Sequence, residues 1–524
     1  MEAVVEVVGL VAVVVAVAAL ARRTRLSAPI MLVVAGLALS YVPGAPEIHL
    51  EPELVLIGIL PPLLYVAALE TSVPAFRFNL RPILLLAVGL VLCTTAVAGF
   101  VLHALLPDVP LAICFALGAV VAPPDAVAAT AVARRIGLPR RVVTILEGES
   151  LINDATALVL FRVAVAAAVG SAVGALDVAK EVAIAGGGGL VVGGLGAVVL
   201  GFVHRRTIDP LLDNAVSLLT PFLVVLVAEL VHASPVVAVV VTGLYLGHRW
   251  PTLMSASSRL QMDAFWRMAK FLLEGLVFLL VGLQLREILA QLDTPPVTAA
   301  GITAAVLLTV IAVRFAWLYP ATYLTRLIPR VRQRDPAPPA TYPTVIAWAG
   351  MRGVVTLATA LALPATLADG AAYPRDLFVW LAFAVIIGTL VLQGVTLPAV
   401  ARLLRIPPDD PSEDRLAEAA TQHAASRAAR ERLSRLADGA PPGVVERLER
   451  LAEQRVNLAW ERLGADGRET PSQAYVRLRR EMLDAERDVF REARDSGQIA
   501  EEVLRRAQRD MDLEEALLIR SGEE

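Results

Sequence analysis

Residues 147–154 read Glu-Gly-Glu-Ser-Leu-Ile-Asn-Asp, which places three carboxylates, an amide and a hydroxyl in a segment otherwise apolar enough to span a membrane. Ionisable side chains at that depth are costly, so a functional role is the default interpretation. A helix turns by about 100° per residue, which puts Ser150 and Asp154 one turn apart beside Asn153 and points Glu149 away from Asp154. One face therefore offers oxygen ligands to a small hard cation, and Glu149 needs a separate partner. The alternative is a polar helix that packs on its neighbours through hydrogen bonds.

The composition around this stretch is that of a membrane protein. Of the 524 residues, 56% are hydrophobic and 19% are charged, and the mean hydropathy is +0.65. These values predict an all-α polytopic membrane protein with room for one soluble appendage. The net charge of -3 gives no indication of a nucleic-acid partner. Cys93 and Cys114 lie in apolar runs and the histidines show no ligand spacing, so no disulfide, resident metal or cofactor is expected.

About thirteen apolar segments have the length of a membrane span. They begin near Val4, Ala28, Leu54, Ile83, Leu111, Val142, Val182, Val216, Pro235, Phe271, Ala299, Val345 and Phe378. Arginines concentrate in alternate loops, among them Arg134, Arg135, Arg140 and Arg141 and also Arg326, Arg330, Arg332 and Arg334. By the positive-inside rule these loops are cytoplasmic, so an odd number of spans puts the N-terminus outside and the C-terminus inside. The first run carries Glu2 and Glu6 where a signal peptide needs positive charge, which predicts a retained span.

The composition changes abruptly after Arg405, where Pro407-Pro408-Asp409-Asp410 opens a region dense in charge. The sequence therefore predicts a transmembrane domain over residues 1–405 and a small cytoplasmic helical domain over residues 406–524. Residues 475–493, for example, show apolar side chains at helical spacing with charged faces between them. The simplest interpretation of those faces is solvent exposure, and a regulatory or dimer-supporting role for the tail stays open.

Two further polar features interrupt the apolar segments. The fifth contains Pro123-Pro124-Asp125, and two consecutive prolines cannot continue a hydrogen-bonded helix. Broken helices of this kind line the binding sites of secondary transporters, although a simple proline kink is the alternative. The third segment ends at Glu70, which either faces the same cavity or caps the helix at the membrane interface.

An arginine is the notable feature of the twelfth segment, where Gly350-Met351-Arg352-Gly353 lies within an apolar helix. An unpaired arginine there is costly, so a carboxylate partner is expected. Glu149, which points away from Asp154, is the candidate for that ion pair. Glu274 and Arg314 are further charges in apolar segments, and the sequence gives them no firm role.

Together these residues resemble the sodium/proton exchanger family, the first of the cation:proton antiporter families, in its bacterial form with a cytoplasmic helical tail. The likeness rests on the segment Glu149–Asp154, the proline-broken segment at Asp125, Glu70, the run Ala228-Glu229-Leu-Val-His232-Ala-Ser234 and the run at Gly350–Gly353. It covers roughly residues 1 to 405, with the motifs in the family's order. One departure is Pro124, because many relatives have a threonine there, whose hydroxyl is missing from this chain.

The resemblance implies a homodimer of inverted repeats in a prokaryotic cell membrane, with a core domain that moves against a dimerising domain. It also implies roles for individual residues. Asp154 is the carrier that binds cation and proton in turn, and Ser150, Glu70 and Asp125 complete the sodium site directly or through water. Asn153 ties the two broken segments together, and Glu149 and Arg352 form a structural ion pair. Glu229 lies along the ion pathway.

The expected activity is secondary active exchange of a monovalent cation, sodium in the first place, for protons. Burial penalises the charged carboxylate, so a cation and a proton compete to neutralise it. Because the residue before Asp154 is the neutral Asn153, the resemblance implies one-for-one, electroneutral exchange. Potassium is the alternative cation, and a passive cation channel is the rival class. The chain has no Walker, Gly-x-Ser-x-Gly or His-Glu-x-x-His motif, so an enzyme is not expected.

Overall fold

Helices account for all of the regular secondary structure in the described part of the chain. The computed structural model describes residues 2–24, 27–43, 51–170, 175–367, 373–438, 440–441, 443–461 and 469–523, and no β-strand occurs among them. The predicted all-α class is therefore confirmed. The chain divides into two compact units, Met1–Pro408 and Asp409–Glu524, close to the composition change that follows Arg405.

The first unit contains nineteen of the α-helices. They are α1 Glu2–Thr24, α2 Ala28–Leu39, α3 Leu60–Glu70, α4 Val73–Phe78, α5 Leu80–Leu84, α6 Val91–Leu105, α7 Leu111–Val121, α8 Ala126–Arg135, α9 Arg140–Ala168, α10 Ala175–Arg206, α11 Pro210–Leu230, α12 Pro235–Leu253, α13 Ala256–Leu283, α14 Leu285–Gln291, α15 Pro296–Tyr323, α16 Pro329–Arg334, α17 Thr341–Trp348, α18 Val354–Leu361 and α19 Arg375–Leu403. Short π-helical turns, Leu54–Ile59 and Leu85–Leu90, lead into α3 and α6.

The second unit contains four helices: α20 Pro411–Leu436, α21 Val444–Glu461, α22 Pro471–Asp495 and α23 Glu501–Glu523. The pairs α20–α21 and α22–α23 pack together. Arg479 joins the last pair through both carboxylate oxygens of Glu514, at 2.6 and 2.9 Å. The arginine holds the pKa of the Glu514 carboxyl below its usual range. This is the helical tail that the sequence predicts.

Nine helical segments among the described residues are long and apolar enough to cross a membrane. Ala28–Leu39 and Leu54–Glu70 are shorter apolar helices. Together with α12 and the α17–α18 segment, they account for every one of the thirteen apolar segments that the sequence predicts. The protein is therefore polytopic, while the number of crossings stays a prediction.

Most helices of the first unit belong to one of two bundles. Bundle A consists of α5–α9 and α15–α19, and bundle B consists of α1–α3 and α10–α13, because helices pack most extensively within these sets. Leu117 and Phe378 are fully buried in an apolar cluster of bundle A, and Tyr65 and Leu246 in a cluster that lies mainly in bundle B. A third apolar cluster contains residues of both bundles. Fewer contacts join the two bundles, chiefly through α9, α12 and α18.

Bundle A contains the same pattern twice, a triplet of segments whose middle member is broken. The first triplet runs from α5 to α9 and is broken between α7 and α8, and the second runs from α15 to α19 and is broken between α17 and α18. The second break, from Ala349 to Gly353, corrects the sequence analysis, which placed Arg352 in a continuous apolar helix. Two glycines lower the helix propensity there, and Arg352 bonds carbonyl groups outside its own helix.

Candidate functional site

The first break turns the chain at two prolines and restarts the helix at a carboxylate. Pro123 and Pro124 supply no N–H groups, so α7 ends at Val121. Asp125 then caps α8, because its carboxylate accepts a hydrogen bond from the Val127 backbone N–H at 2.8 Å. The positive end of the helix dipole favours a carboxylate at that position.

The two breaks meet, and Arg352 lies between them. The backbone N–H of Asp125 donates to the Met351 carbonyl at 2.7 Å. The Arg352 guanidinium donates to the Val121 carbonyl at 3.1 Å, to the Ala122 carbonyl at 3.2 Å and to the Gly350 carbonyl. These carbonyls lie at the C-terminal ends of α7 and α17, where helix dipoles concentrate partial negative charge. Arg352 is thus compensated by two helix ends.

The predicted ion pair between Glu149 and Arg352 is wrong. Glu149 instead accepts two hydrogen bonds from Arg314 on α15, at 2.6 and 2.8 Å. Arg314 also donates to the Ile346 carbonyl at 3.1 and 3.2 Å, and both side chains of the pair are buried. Glu149 does point away from Asp154, as the helical spacing predicts. Its partner is not Arg352, because carbonyl groups at two helix ends take the place of a carboxylate beside that arginine.

The other polar residues of α9 face the first break. The Ser150 hydroxyl accepts a hydrogen bond from the Ala126 backbone N–H at 3.3 Å. Asn153 donates from Nδ2 to the Pro124 carbonyl at 2.6 Å, and its buried Oδ1 has no hydrogen-bond partner within the described residues. Asn153 thus ties α9 to one broken segment. The two broken segments are tied to each other by the Asp125–Met351 backbone bond, not by Asn153 as the sequence analysis expected.

Asp154 is a buried carboxylate that structural contacts leave unpaired within the described residues. Its side chain is 7% exposed and, in the part of the chain that the structure describes, makes no hydrogen bond or ion pair. It opens onto a cavity of about 280 Å³ between the two bundles. Asp125, Ser150 and Asp154 line the bundle A wall, and Glu70 and Glu274 line the bundle B wall. A buried carboxylate without a partner needs a cation or a proton to offset its charge.

Glu70 lies in this cavity but has a partner of its own. Its Oε2 is 2.7 Å from the Lys270 ammonium, and both side chains are partly exposed. Among the residues described, no three acidic, histidine or cysteine side chains gather closely enough to hold a metal ion. Glu70, Asp125 and Asp154 therefore do not form one coordination sphere in this conformation. A direct Glu70 ligand needs a rearrangement, whereas a contact through water does not.

Glu229 belongs to a second cavity. It pairs with Arg162 on α9 at 3.0 Å, and both line a cavity of about 270 Å³ together with Glu53 and Glu181. Leu60 and Leu64 line both this cavity and the one at Asp154, so apolar side chains separate the two spaces. Glu229, predicted to lie along the ion pathway, is on the opposite side of that apolar barrier from Asp154.

Three basic residues that define these contacts were missed or left without a role. Arg314 pairs with Glu149, Lys270 with Glu70 and Arg162 with Glu229. Each is a basic residue within or at the edge of an apolar helix, which is a recognisable sequence signal. The signal gives the need for a partner but not its identity, since each partner comes from another helix.

The chain is similar to known proteins along most of its length. The family described as sodium/hydrogen exchanger, transmembrane, matches residues 9–403. An uncharacterized Na(+)/H(+) exchanger of Mycobacterium tuberculosis is 37% identical over 528 residues, covering 98% of this chain and 96% of the relative. A sodium, potassium, lithium and rubidium/H(+) antiporter of Bacillus pumilus is 32% identical over 385 residues, covering 71% of this chain and 57% of the relative.

A solved structure shows the same fold. The sodium proton antiporter MjNhaP1 of Methanocaldococcus jannaschii superposes with a TM-score of 0.60, covering 77% of this chain and 99% of that one. The two sequences are 18% identical, so this likeness concerns the architecture alone. It agrees with the helical, polytopic class that the sequence predicts.

Proposed function

Because the chain belongs to the sodium/hydrogen exchanger family, we propose that it is a secondary active antiporter, which exchanges a monovalent cation for protons across the cell membrane. Sodium is the first candidate for that cation. The observation that supports this most directly is Asp154, a buried carboxylate that faces a cavity and has no partner among the described residues. The other buried carboxylate on α9, Glu149, is fully occupied by Arg314.

Competition at Asp154 couples the two ions. The charged carboxylate is unfavourable in its buried position, and either a cation or a proton removes the penalty. The neighbouring oxygens of Ser150 and Asp125 line the same wall and offer a hard cation further ligands. One carboxylate cannot hold both species, so each turnover carries one of them in each direction.

Alternating access completes the cycle. The cavity at Asp154 extends to Arg134 and Lys270, which the charge pattern assigns to the cytoplasmic side. Leu60 and Leu64 separate it from the cavity at Glu229. This arrangement is the one expected of an inward-facing state. A shift of bundle A against bundle B then exposes Asp154 to the other side of the membrane. The homodimer implied by the family resemblance stays a prediction.

Potassium is the second candidate cation. The name of the Bacillus pumilus relative includes potassium, lithium and rubidium beside sodium. Pro124 also supplies a carbonyl but no hydroxyl next to Asp125, and its carbonyl is already bonded to Asn153. A smaller set of fixed ligands discriminates less sharply among cations of different size.

The test is cation-driven proton movement in vesicles that contain the purified full-length chain. Sodium, lithium and potassium are added separately, and a pH-sensitive dye reports the proton flux. We expect Asp154→Asn to abolish exchange while the protein still expresses and inserts, because the change removes the titrating charge and conserves size. Near-normal exchange by this variant would contradict the role of Asp154.

A second arm separates an antiporter from a passive channel. A proton gradient imposed across the vesicle should drive the cation against its own concentration gradient in an antiporter. A channel only lets each ion run down its gradient. Cation movement that never proceeds uphill, whatever the pH gradient, would overturn the proposed function.

A further inference from the structure

Glu274 is a cavity carboxylate to which neither the sequence analysis nor the proposed cycle gives a role. It lies on α13, faces the same cavity as Asp125 and Asp154, and belongs to bundle B. Across the described ranges, its side chain makes no hydrogen bond or ion pair. A carboxylate in that position attracts any small cation that enters the cavity.

Lys270 precedes Glu274 by one helical turn and is the nearest basic group on that wall. Residues four apart on a helix share a face, so the ammonium and the Glu274 carboxylate point into the same part of the cavity. The ammonium contacts Glu70 at 2.7 Å, and its charge also acts on Glu274. Lys270 therefore lies close to both Glu70 and Glu274, at the end of the cavity nearer Arg134.

A purely structural role does not account for this lysine. The Lys270–Glu70 pair joins two helices of the same bundle, and its side chains are 31% and 44% exposed. An ion pair with that much solvent contact contributes little to stability. The electrostatic effect of the Lys270 ammonium on an entering cation is at least as large as its effect on stability, because that cation meets the same two carboxylates, Glu70 and Glu274.

We propose that Glu70 and Glu274 form an entry site for the transported cation, and that the Lys270 ammonium occupies this site as a tethered competitor. The ammonium is a compact monovalent cation on a flexible stem, so it can leave Glu70 when a free cation arrives. The free cation then passes from the entry site to Asp125 and Asp154 on the opposite wall. This inference rests on the proposed function and names the residues that set the apparent affinity at the cavity mouth.

Lys270→Gln is the direct test, in inside-out membrane vesicles that expose the cytoplasmic face to added sodium. Removing the competitor should lower the apparent KM for sodium at that face by about three- to tenfold, because one unit of opposing charge is lost at close range. The maximal rate should change little. Lys270→Arg keeps the charge and should restore a KM close to that of the unaltered protein.

Arg267→Gln is the matched control, since Arg267 lies one turn earlier on α13 and pairs with Asp263 at 3.2 Å outside the cavity. Its KM should equal that of the unaltered protein. An equal decrease in both variants would show a general surface-charge effect and would overturn the proposal. An unchanged KM in Lys270→Gln would overturn it as well.

Glu274→Gln tests the entry site from the other side and serves if Lys270→Gln fails to fold. It should raise the KM at the cytoplasmic face severalfold while exchange continues, since Asp154 is intact. Complete loss of exchange would assign Glu274 to the carrier step, and an unchanged KM would remove it from the entry site. Both results contradict the proposal. If the unaltered protein shows no cation-driven proton movement, the proposed function fails instead, and the two failures are distinguishable.

Discussion

Arg314 and Glu149 hold two opposite charges where solvent does not reach them. Their side chains are 0% and 1% exposed, and two hydrogen bonds join them. Desolvation of both charges offsets most of their attraction, so the intact pair contributes little net stability. Removal of one partner is different, because the remaining charge is buried without compensation at a cost of about 3 to 5 kcal/mol.

We therefore expect Glu149→Gln and Arg314→Gln each to lower thermal stability strongly, and the double variant to be less destabilised than the sum of the two. Thermal unfolding of the purified protein in detergent measures all three. Glu149→Gln combined with Arg352→Gln is the comparison, because Arg352 bonds backbone carbonyls and not Glu149, so its coupling to Glu149 should be weaker than that of Arg314. Additive losses for Glu149 and Arg314 would show that these two residues do not meet.

Local geometry explains which side chains could be predicted. Asn153, Asp154 and Ser150 share one turn of α9, so helical spacing alone predicts that they face one site and that Glu149 does not. The partner of Glu149 lies 165 positions away along the chain. Its identity depends on how α9 and α15 pack, and one sequence with two candidate arginines in apolar segments does not decide between them.

The crossing of the two broken segments is the element that positions Asp125. The backbone hydrogen bond from Asp125 to Met351 fixes the position of one broken segment along the other. Arg352 offsets the partial negative charge at the ends of α7 and α17. Gly353 follows directly, and the Asp125 carboxylate packs against its Cα so closely that an added Cβ would overlap it. A glycine is therefore required for steric reasons at this point.

Gly353→Ala should displace the Asp125 carboxylate and reduce exchange. A shift of about 1 Å at a site of this kind can lower the rate by up to about a hundredfold, so we expect a loss of at least about tenfold. The proton-flux assay in vesicles measures it. Gly301→Ala on α15 is the control, because a Cβ there meets no atom within 4 Å and should leave exchange unchanged. Full activity of Gly353→Ala would mean that the crossing does not hold Asp125 in place.

The two breaks differ in how far sequence reveals them. Pro123 and Pro124 remove two backbone donors, which predicts the first break directly. The second break has no proline between Ala349 and Gly353. It forms because Arg352 and the extended backbone find partners on α7 and α19, including the Thr389 hydroxyl at 3.0 Å, and tertiary contacts of this kind override local propensity.

At the scale of the whole molecule, the Arg162–Glu229 pair joins the bundles on the side of the second cavity. Arg162 lies on α9 of bundle A and Glu229 on α11 of bundle B, at 3.0 Å. The pair is about half exposed, so it contributes at most about 1 kcal/mol. If the bundles move against each other during transport, the pair is made in this state and broken in the other.

Glu229→Gln should therefore shift the population toward the state with the second cavity open, by up to about fivefold, the factor that corresponds to about 1 kcal/mol. The rate at which an impermeant maleimide labels a cysteine introduced at Ser234, which lines that cavity, measures the shift. Exchanging the two charges, Arg162→Glu with Glu229→Arg, should restore the original labelling rate. Equal labelling in all variants would show that the pair does not bias the conformational equilibrium.

The stoichiometry of the cycle rests on Asn153, the neutral residue beside the carrier. If Asp154 alone carries charge and one cation replaces one proton, exchange moves no net charge. Potassium–valinomycin clamps of opposite sign should then give the same sodium-driven pH change in vesicles, provided that potassium is first shown not to be a substrate. A cycle that moves one net charge feels about 2.3 kcal/mol per 100 mV, which alters the driving force by more than about tenfold. A steep dependence on the clamp would refute electroneutral exchange, and Glu70 and Asp125, which line the same cavity as Asp154, would be the first candidates for a second proton carrier.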